Sequence, residues 1–233
     1  MSPAAGGRPE VAPSGAGRPV IAILGGTGTL GFGLAIRLCA AGYRVVIGSR
    51  DAARAAEVAA RLRLPTATGA ANPDAARAAE VVVLAIPAEG HAAFVSALAG
   101  ELAGKIVVDA TVPMDAARAY VPPAAGSAAA ETQRLLPSAR VVAAFHTLSG
   151  RLLAEADRPL DQDVLVCGDD PDARSRVIAL AGALGARGVD AGGLEAAATL
   201  EALAVLVIGL NIRYRRRHLG IKIAHLPPDA RPR

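Results

Sequence analysis

The chain alternates short apolar runs with stretches whose apolar residues recur at helical spacing, and that alternation predicts most of its architecture. Val20-Ile21-Ala22-Ile23-Leu24 is a continuous apolar run, followed by Leu30, Leu34, Ala35 and Leu38 at the spacing of one helix face. Arg44 to Gly48 reads as a second strand, Arg54 to Leu64 as a helix stopped by Pro65, and residues 66–69 as a third strand. Asn72-Pro73-Asp74 opens another helix with proline in its first turn. Val81 to Ile86 is apolar throughout, as a parallel strand covered on both faces would be, and ends at Pro87. Lys105 to Asp109 and Arg140 to Phe145 read as further strands, with Ser127 capping a helix to Leu136 between them. A strand at Asp163 to Cys167, a helix from Pro171 to Gly185 and a strand at Arg187 to Asp190 keep the rhythm. A long helix follows, with Leu200, Leu203, Val207, Leu210 and Tyr214 on one face. Between Ala202 and Leu210 it is apolar all round, which predicts burial on several sides. The expected fold is α/β: a doubly wound parallel sheet over residues 19–150, with a small C-terminal α/β extension over 151–223. Residues 1–18 and 224–233 read as flexible ends.

Ligands on such sheets gather at the carboxyl ends of the strands, here Gly25, Ser49, Ile86-Pro87, Val112-Pro113 and His146. Gly26, Gly28 and Gly31 fit G-x-G-x-x-G between a strand and a helix. Such a loop lets backbone and a helix N-terminus approach a pyrophosphate. At the end of the second strand, where an NAD site usually carries a carboxylate, stand Ser49 and Arg50, with Arg54 one turn further on. A hydroxyl and guanidinium groups would bond an adenosine 2′-phosphate that a carboxylate would repel, so the pattern favours NADP over NAD. Asp51 is expected to cap the next helix.

Composition narrows the function classes. The formal charge of +4 equals the contribution of Arg213, Arg215, Arg216 and Arg217 alone, which excludes a broad basic face for nucleic acid. Cys39 and Cys167 suit buried thiols in a reducing compartment better than a disulfide framework. The histidines at 91, 146, 218 and 225 show no metal-ligand spacing, so no metal site is expected. The first 18 residues lack the apolar core of a signal peptide, and the run from Ala202 to Leu210 is too short to cross a bilayer. A cytoplasmic protein without a membrane partner is expected.

Several motifs then coincide. Leu24-Gly25-Gly26-Thr27-Gly28-Thr29-Leu30-Gly31, Ile47-Gly48-Ser49-Arg50, Ala85-Ile86-Pro87, Ala144-Phe145-His146-Thr147-Leu148, Val166-Cys167-Gly168-Asp169-Asp170 and Val189-Asp190-Ala191-Gly192 occur in that order. Together they resemble the family of NADP oxidoreductases dependent on coenzyme F420, over residues 19–223. The resemblance implies an NADP-binding Rossmann domain and a small C-terminal domain that closes an acceptor cleft. Between them a hydride would pass between NADP(H) and the 8-hydroxy-5-deazaflavin of coenzyme F420. It implies that Thr27, Gly28, Thr29 and Leu30 hold the pyrophosphate, and that Ser49, Arg50 and Arg54 take the 2′-phosphate. Ile86 and Pro87 would line the nicotinamide side; Val112, Pro113, His146, Thr147 and Leu148 would lie near the deazaflavin. Ala88 departs from the pattern, because archaeal members carry an aromatic residue after the Ile-Pro pair.

Hydride transfer between two carriers needs close stacking and a dry site rather than a protein nucleophile. His146, at a strand end, is the one candidate catalytic side chain; it could bond a polar edge of either ring or only tie down its own loop. His91 is expected on a helix surface near the site, and Asp169-Asp170 as a helix cap. The Arg213–His218 cluster could attract the acidic tail of the deazaflavin, but reads more readily as a solvated helix end complementing its own dipole. Competing functions are a reductase of another electron acceptor, a hydroxyacid or imine reductase, and a non-catalytic NADP sensor. The hydroxyacid enzymes need a lysine well after the nucleotide domain, and Lys105 and Lys222 are poorly placed for it. The apolar final helix points to a homodimer.

Overall fold

The apolar runs pair side by side into one eight-stranded sheet. The computed structural model describes residues 17–227; most of the expected flexible ends lie outside the described residues. Strands β1 (Ile21–Leu24), β2 (Val45–Ser49), β3 (Ala67–Ala71), β4 (Val81–Leu84), β5 (Ile106–Asp109) and β6 (Arg140–Ala143) run parallel. With β7 (Asp163–Gly168) and β8 (Arg187–Asp190) they follow the order β3-β2-β1-β4-β5-β6-β7-β8. Ile21 pairs with both Val45 and Val81, so β1 is the centre from which the chain builds outward in both directions. That reversal of order between β1 and β4 opens a crevice at their carboxyl ends.

Residues one apart along a strand point to opposite faces. Ile21 and Ile23 enter one core with Leu34, Leu38, Val58, Leu153, Val177 and Leu180. These come from helices α1 (Thr29–Ala40), α2 (Ala52–Leu62), α7 (Gly150–Ala154) and α8 (Pro171–Ala183). Ala22 and Leu24 enter the other with Ala75, Val95, Leu102, Ala129 and Leu200. This second layer comprises α3 (Asn72–Ala78), α4 (His91–Ala97), α5 (Ala99–Leu102), α6 (Ala128–Leu135) and α9 (Ala197–Arg213). Both faces are therefore covered, which is why β1 and β4 could be uniformly apolar.

Local rules set the ends of the elements. Asp51 caps α2 through the backbone N–H groups of Ala53 and Arg54, at 2.9 and 3.2 Å, so the helix starts earlier than its apolar periodicity suggested. It stops at Leu62 because Arg63 turns left-handed at φ 54°, ahead of Pro65. Ser127 caps α6 and Asp170 caps α8, each through a backbone N–H three residues on.

The parallel sheet expected over residues 19–150 is present, and it continues into the C-terminal extension through an antiparallel pair, Ala143 of β6 with Cys167 of β7. Between them α7 has only five residues, too few to cross the sheet, and it docks on α1 instead. A Cβ at Gly150 would lie 2.6 Å from the Thr29 carbonyl, so that contact needs glycine. The buried Arg37 guanidinium fastens the junction, donating to the carbonyls of Leu152, Leu153, Glu155, Arg158 and Leu184. One expectation does need correction: helix α9 is not buried on several sides. Its buried residues Ala197, Leu200, Glu201, Ala204 and Val207 form one stripe, while Leu206 is 56% exposed. The helical run Leu194–Arg213 reaches 20 residues at a mean hydropathy of 1.7, long and apolar enough by those measures alone to cross a bilayer. It nevertheless carries the fully buried Glu201, bonded to the start of α6. Near the C-terminus, Arg187 donates to the carbonyls of Ile223 and Leu226 and ties the chain down that far.

Candidate active site

The turn between β1 and α1 is a backbone device. Gly25 sits at φ +78°, and a Cβ there would lie 2.3 Å from the Ala85 carbonyl oxygen, so the turn and the β4 exit pack backbone to backbone. At Gly31 a Cβ would lie 2.6 Å from Gly26 Cα, which lets α1 rest on the turn. The N-cap of α1, Gly28, offers no side-chain acceptor to the first-turn N–H groups. They are left to an outside anion, and the helix dipole favours one there.

From this turn a cleft of about 1020 Å³ runs across the ends of β1, β2 and β4. It brings together Thr27, Gly28, Ser49, Arg50, Arg54, Ile86 and Pro87. Asp51 lies there too, but its carboxylate is engaged as the α2 cap. Arg50 and Arg54 are exposed, as a phosphate-binding pair must be before a ligand arrives. Gly25, expected as the end of the first strand, and Ala85 also line it; Asn72, Glu89, Gly90 and Phe94 complete the lining and were not anticipated from sequence. The buried Oδ1 of Asn72 has no hydrogen-bond partner among the described residues, which suits a polar ligand edge. The charge, the uncapped helix and this orphaned acceptor fit an adenine dinucleotide phosphate.

A second cleft, of about 550 Å³, begins one residue further along the same turn, at Thr29. His146, Thr147 and Leu148 form one wall; Ala204, Val207, Ile208 and Ile212 of α9 form the other, with Arg151 and Arg217 also contributing. The turn that presents His146 is strained, since Phe145 takes φ 70°, unusual for a bulky residue. Burial pushes the His146 imidazole down to about 4, with the Asp109 carboxylate only partly opposing it. The ring is therefore neutral at physiological pH, and its buried Nε2 has no partner among the described residues. Pro113 does not join this cleft; it lines a separate crevice of about 440 Å³ with Thr111, Met114, Val121, His91 and Glu131.

His91 corrects an expectation. It is 4% exposed, not on a helix surface, and both ring nitrogens face carboxylates: Nε2 lies 3.0 Å from Asp109 Oδ2 and Nδ1 3.2 Å from Glu131 Oε2. A second buried acid, Glu201 of α9, accepts from Tyr120 Oη at 2.9 Å and from the Ala128 and Ala129 N–H groups at 3.2 Å. Burial lifts it to about 7 despite those donors. Nothing in the local sequence marks either acid as buried, since their partners lie far along the chain. Cys39 and Cys167 are free and buried, and among the described residues no group of His, Cys, Asp and Glu is placed to hold a metal.

Comparison with known proteins finds relatives over nearly the whole chain. An F420-dependent NADP reductase of Methanothermobacter thermautotrophicus is 41% identical, over 89% of this chain and 95% of that protein. The chain belongs to the F420-dependent NADP reductase family. A relative of that name from Methanocaldococcus jannaschii is 40% identical over 88% of this chain and 98% of its own. The family model described as NADP oxidoreductase coenzyme F420-dependent matches residues 20–113, the stretch from β1 through the loop after β5. Among solved structures, a protein from Arthrobacter sp. FB24 described as an F420-dependent NADP reductase superposes at a TM-score of 0.78. It is 32% identical, over 89% of this chain and all of that one. As a family member the protein is an NADP-dependent oxidoreductase with a mostly parallel Rossmann-like sheet.

Proposed function

We propose that the protein transfers a hydride between NADP(H) and coenzyme F420, with the first cleft holding the dinucleotide and the second the deazaflavin. The observation that carries this reading is the meeting of the two clefts at consecutive residues, Gly28 and Thr29, at the switch point of the sheet. Thr27 to Leu30 and the free N–H groups of α1 hold the pyrophosphate; Ser49, Arg50 and Arg54 hold the 2′-phosphate. Ile86 and Pro87 form the nicotinamide wall. His146, Thr147 and Leu148 take the polar edge of the acceptor ring, and Arg151 and Arg217 meet its anionic tail. Nicotinamide C4 and deazaflavin C5 supply the hydride chemistry, so the chain's task is to hold two flat rings at about 3–3.5 Å and exclude water. His146 serves it as a neutral ring with one unused nitrogen, giving a hydrogen bond without bringing a charge to the reacting carbons.

Residues 19–150 act in this reading as the nucleotide unit and 151–223 as the part that closes the acceptor cleft. The outward face of α9, with Leu206 at 56% exposure, is covered by a second copy, giving a cytoplasmic homodimer.

The test is turnover of NADPH or NADH with oxidised F420, followed as loss of deazaflavin absorbance. Bleaching is expected with NADPH and little with NADH. Arg50→Ala should weaken NADPH about 10- to 100-fold, the worth of a charge-assisted phosphate contact, and leave NADH nearly unchanged. Tight NADPH binding with no bleaching would overturn the acceptor assignment.

A further inference from the structure

The loop Ile86–Gly90 stands between two cavities. Ile86, Pro87, Glu89 and Gly90 face the nucleotide cleft, while Ala88 and Glu89 face the crevice that also holds Thr111, Met114, Asp115 and Val121. Gly90, at φ +76°, has open space where a side chain would be. A wall with a cavity behind it is not held by packing alone. Its C-terminal end runs straight into His91, the first residue of α4.

His91 is gripped from two other elements. Asp109 comes from the end of β5, and Glu131 from α6. A neutral imidazole has one N–H, so it can donate to only one of the two carboxylates. The other acceptors and donors settle where the protons lie. Asp109 Oδ2 accepts Thr132 Oγ1 at 2.6 Å, and its Oδ1 accepts the Thr111 N–H at 2.9 Å. A carboxylate surrounded by donors is an anion, and an imidazolium, with a proton on each ring nitrogen, is the form that donates to Asp109 and Glu131 together.

We propose that His91 is a positioning residue for the proposed reaction: an imidazolium clamped between Asp109 and Glu131 that fixes the Ile86–Gly90 wall of the nucleotide cleft. The inference rests on the reading of that cleft as the NADP(H) site. It gives a role to His91, Asp109 and Glu131, none of which lines either cleft.

The clamp has a pH window. Burial by itself would lower His91, but its bonds to and charges from Asp109 and Glu131 outweigh burial and raise it above the ordinary histidine value. Asp109 is held below the usual carboxylate range, its burial overcome by the His91, Thr132 and Thr111 donors. A raised histidine contributes fully below its unfolded value, about 6.5, and loses its contribution as pH rises through the folded value. The groups facing the ring are Asp109 from β5 and Glu131 and Thr132 from α6; Glu89 and Asp115 border the crevice beyond. His146 and Glu201 act on Asp109 from further away.

The experiment is NADPH affinity by isothermal titration calorimetry between pH 6 and 9, on untagged wild type, Glu131→Gln and His91→Gln, with no acceptor present. In the wild type the affinity should fall on the order of tenfold on the alkaline side, the size of one lost charge-assisted hydrogen bond. Glu131→Gln removes one carboxylate but leaves Asp109 and Thr132, so the fall should move to lower pH. His91→Gln should bind weakly at all pH values and lose the fall. A histidine ring 15N spectrum at pH 7 should show one ring, absent from His91→Gln, with both nitrogens protonated. If Glu131→Gln keeps the wild-type profile, or the His91 ring is neutral at pH 7, the clamp is refuted even though NADPH binds. Absence of NADPH binding by the wild type would instead refute the nucleotide-site reading.

Discussion

The two clefts share one turn, yet they are built on opposite principles. The nucleotide cleft offers exposed guanidinium groups at Arg50 and Arg54, uncapped N–H groups and close-packed glycine backbone. The proposed acceptor cleft offers a neutral, half-buried imidazole on a strained turn and an apolar helix side, with its arginines exposed. The difference follows from what each must do. Anchoring a phosphate rewards charge that stays hydrated until the ligand arrives. Hydride transfer rewards the exclusion of water and of stray charge from the reacting carbons. One chain can do both because α1 separates them at Gly28 and Thr29.

The largest expected effect comes from breaking the side that is built from backbone. Gly25→Ala forces a side chain into a left-handed position 2.3 Å from the Ala85 carbonyl. Strain of about 1–3 kcal/mol and displacement of the β4 exit should follow. NADPH affinity is expected to fall roughly a hundredfold or more, since the turn places both pyrophosphate and nicotinamide wall. Calorimetry with NADPH checks it; near-normal binding would mean that the turn does not carry the nucleotide.

A smaller effect sharpens the other side. His146→Asn should lower turnover with F420 while leaving NADPH affinity within about twofold, because no charge is involved and the first cleft is untouched. It also has a pH signature. The folded value of His146 is pushed down to about 4, below the unfolded value near 6.5, so acid favours the unfolded chain that can bind the proton. Stability should therefore drop as pH falls from 6.5 towards 4, by at most about 3 kcal/mol. Glu201 works the other way: lifted to about 7, it binds a proton more readily in the fold, so acidification over the same range favours folding. Both add to the contributions of His91, Asp109 and Asp163, and His146→Asn should remove only the acid-sensitive part that His146 supplies. Urea unfolding of both proteins at pH 7 and pH 5 measures the difference; equal pH dependence would mean that His146 is not buried neutral.

The contrast also explains which half was legible in the sequence. The proposed phosphate site rests on local signals: the glycines after β1, the hydroxyl and arginine at the end of β2, and Asp51 capping α2 all lie close together along the chain. The acceptor side and the buried charges are tertiary. His91 finds Asp109 and Glu131, 18 and 40 residues away, so its surroundings could not be read from helix periodicity. Glu201 meets Ala128 and Ala129, 73 and 72 residues away, and stands one residue before the apolar run Ala202–Leu210. The antiparallel β7 was hidden for a different reason: strand residues look alike in either direction, and only the shortness of α7 tells them apart. Nor does an apolar helix announce what covers it.

That last point sets the mildest test. If a second copy covers α9, Leu206→Lys places a charge in the interface, where desolvating it without a partner is costly. Sedimentation should show monomers, while the stability of each chain changes by no more than about 0.5 kcal/mol, as for ordinary surface positions. NADPH affinity should stay within about twofold, because the residues of the nucleotide cleft come from one chain and lie on other elements. Loss of F420 turnover alongside the dimer, with NADPH binding intact, would mean that the acceptor cleft is completed by the partner copy. The contrast between the clefts would then be between a site made by one chain and a site made by two.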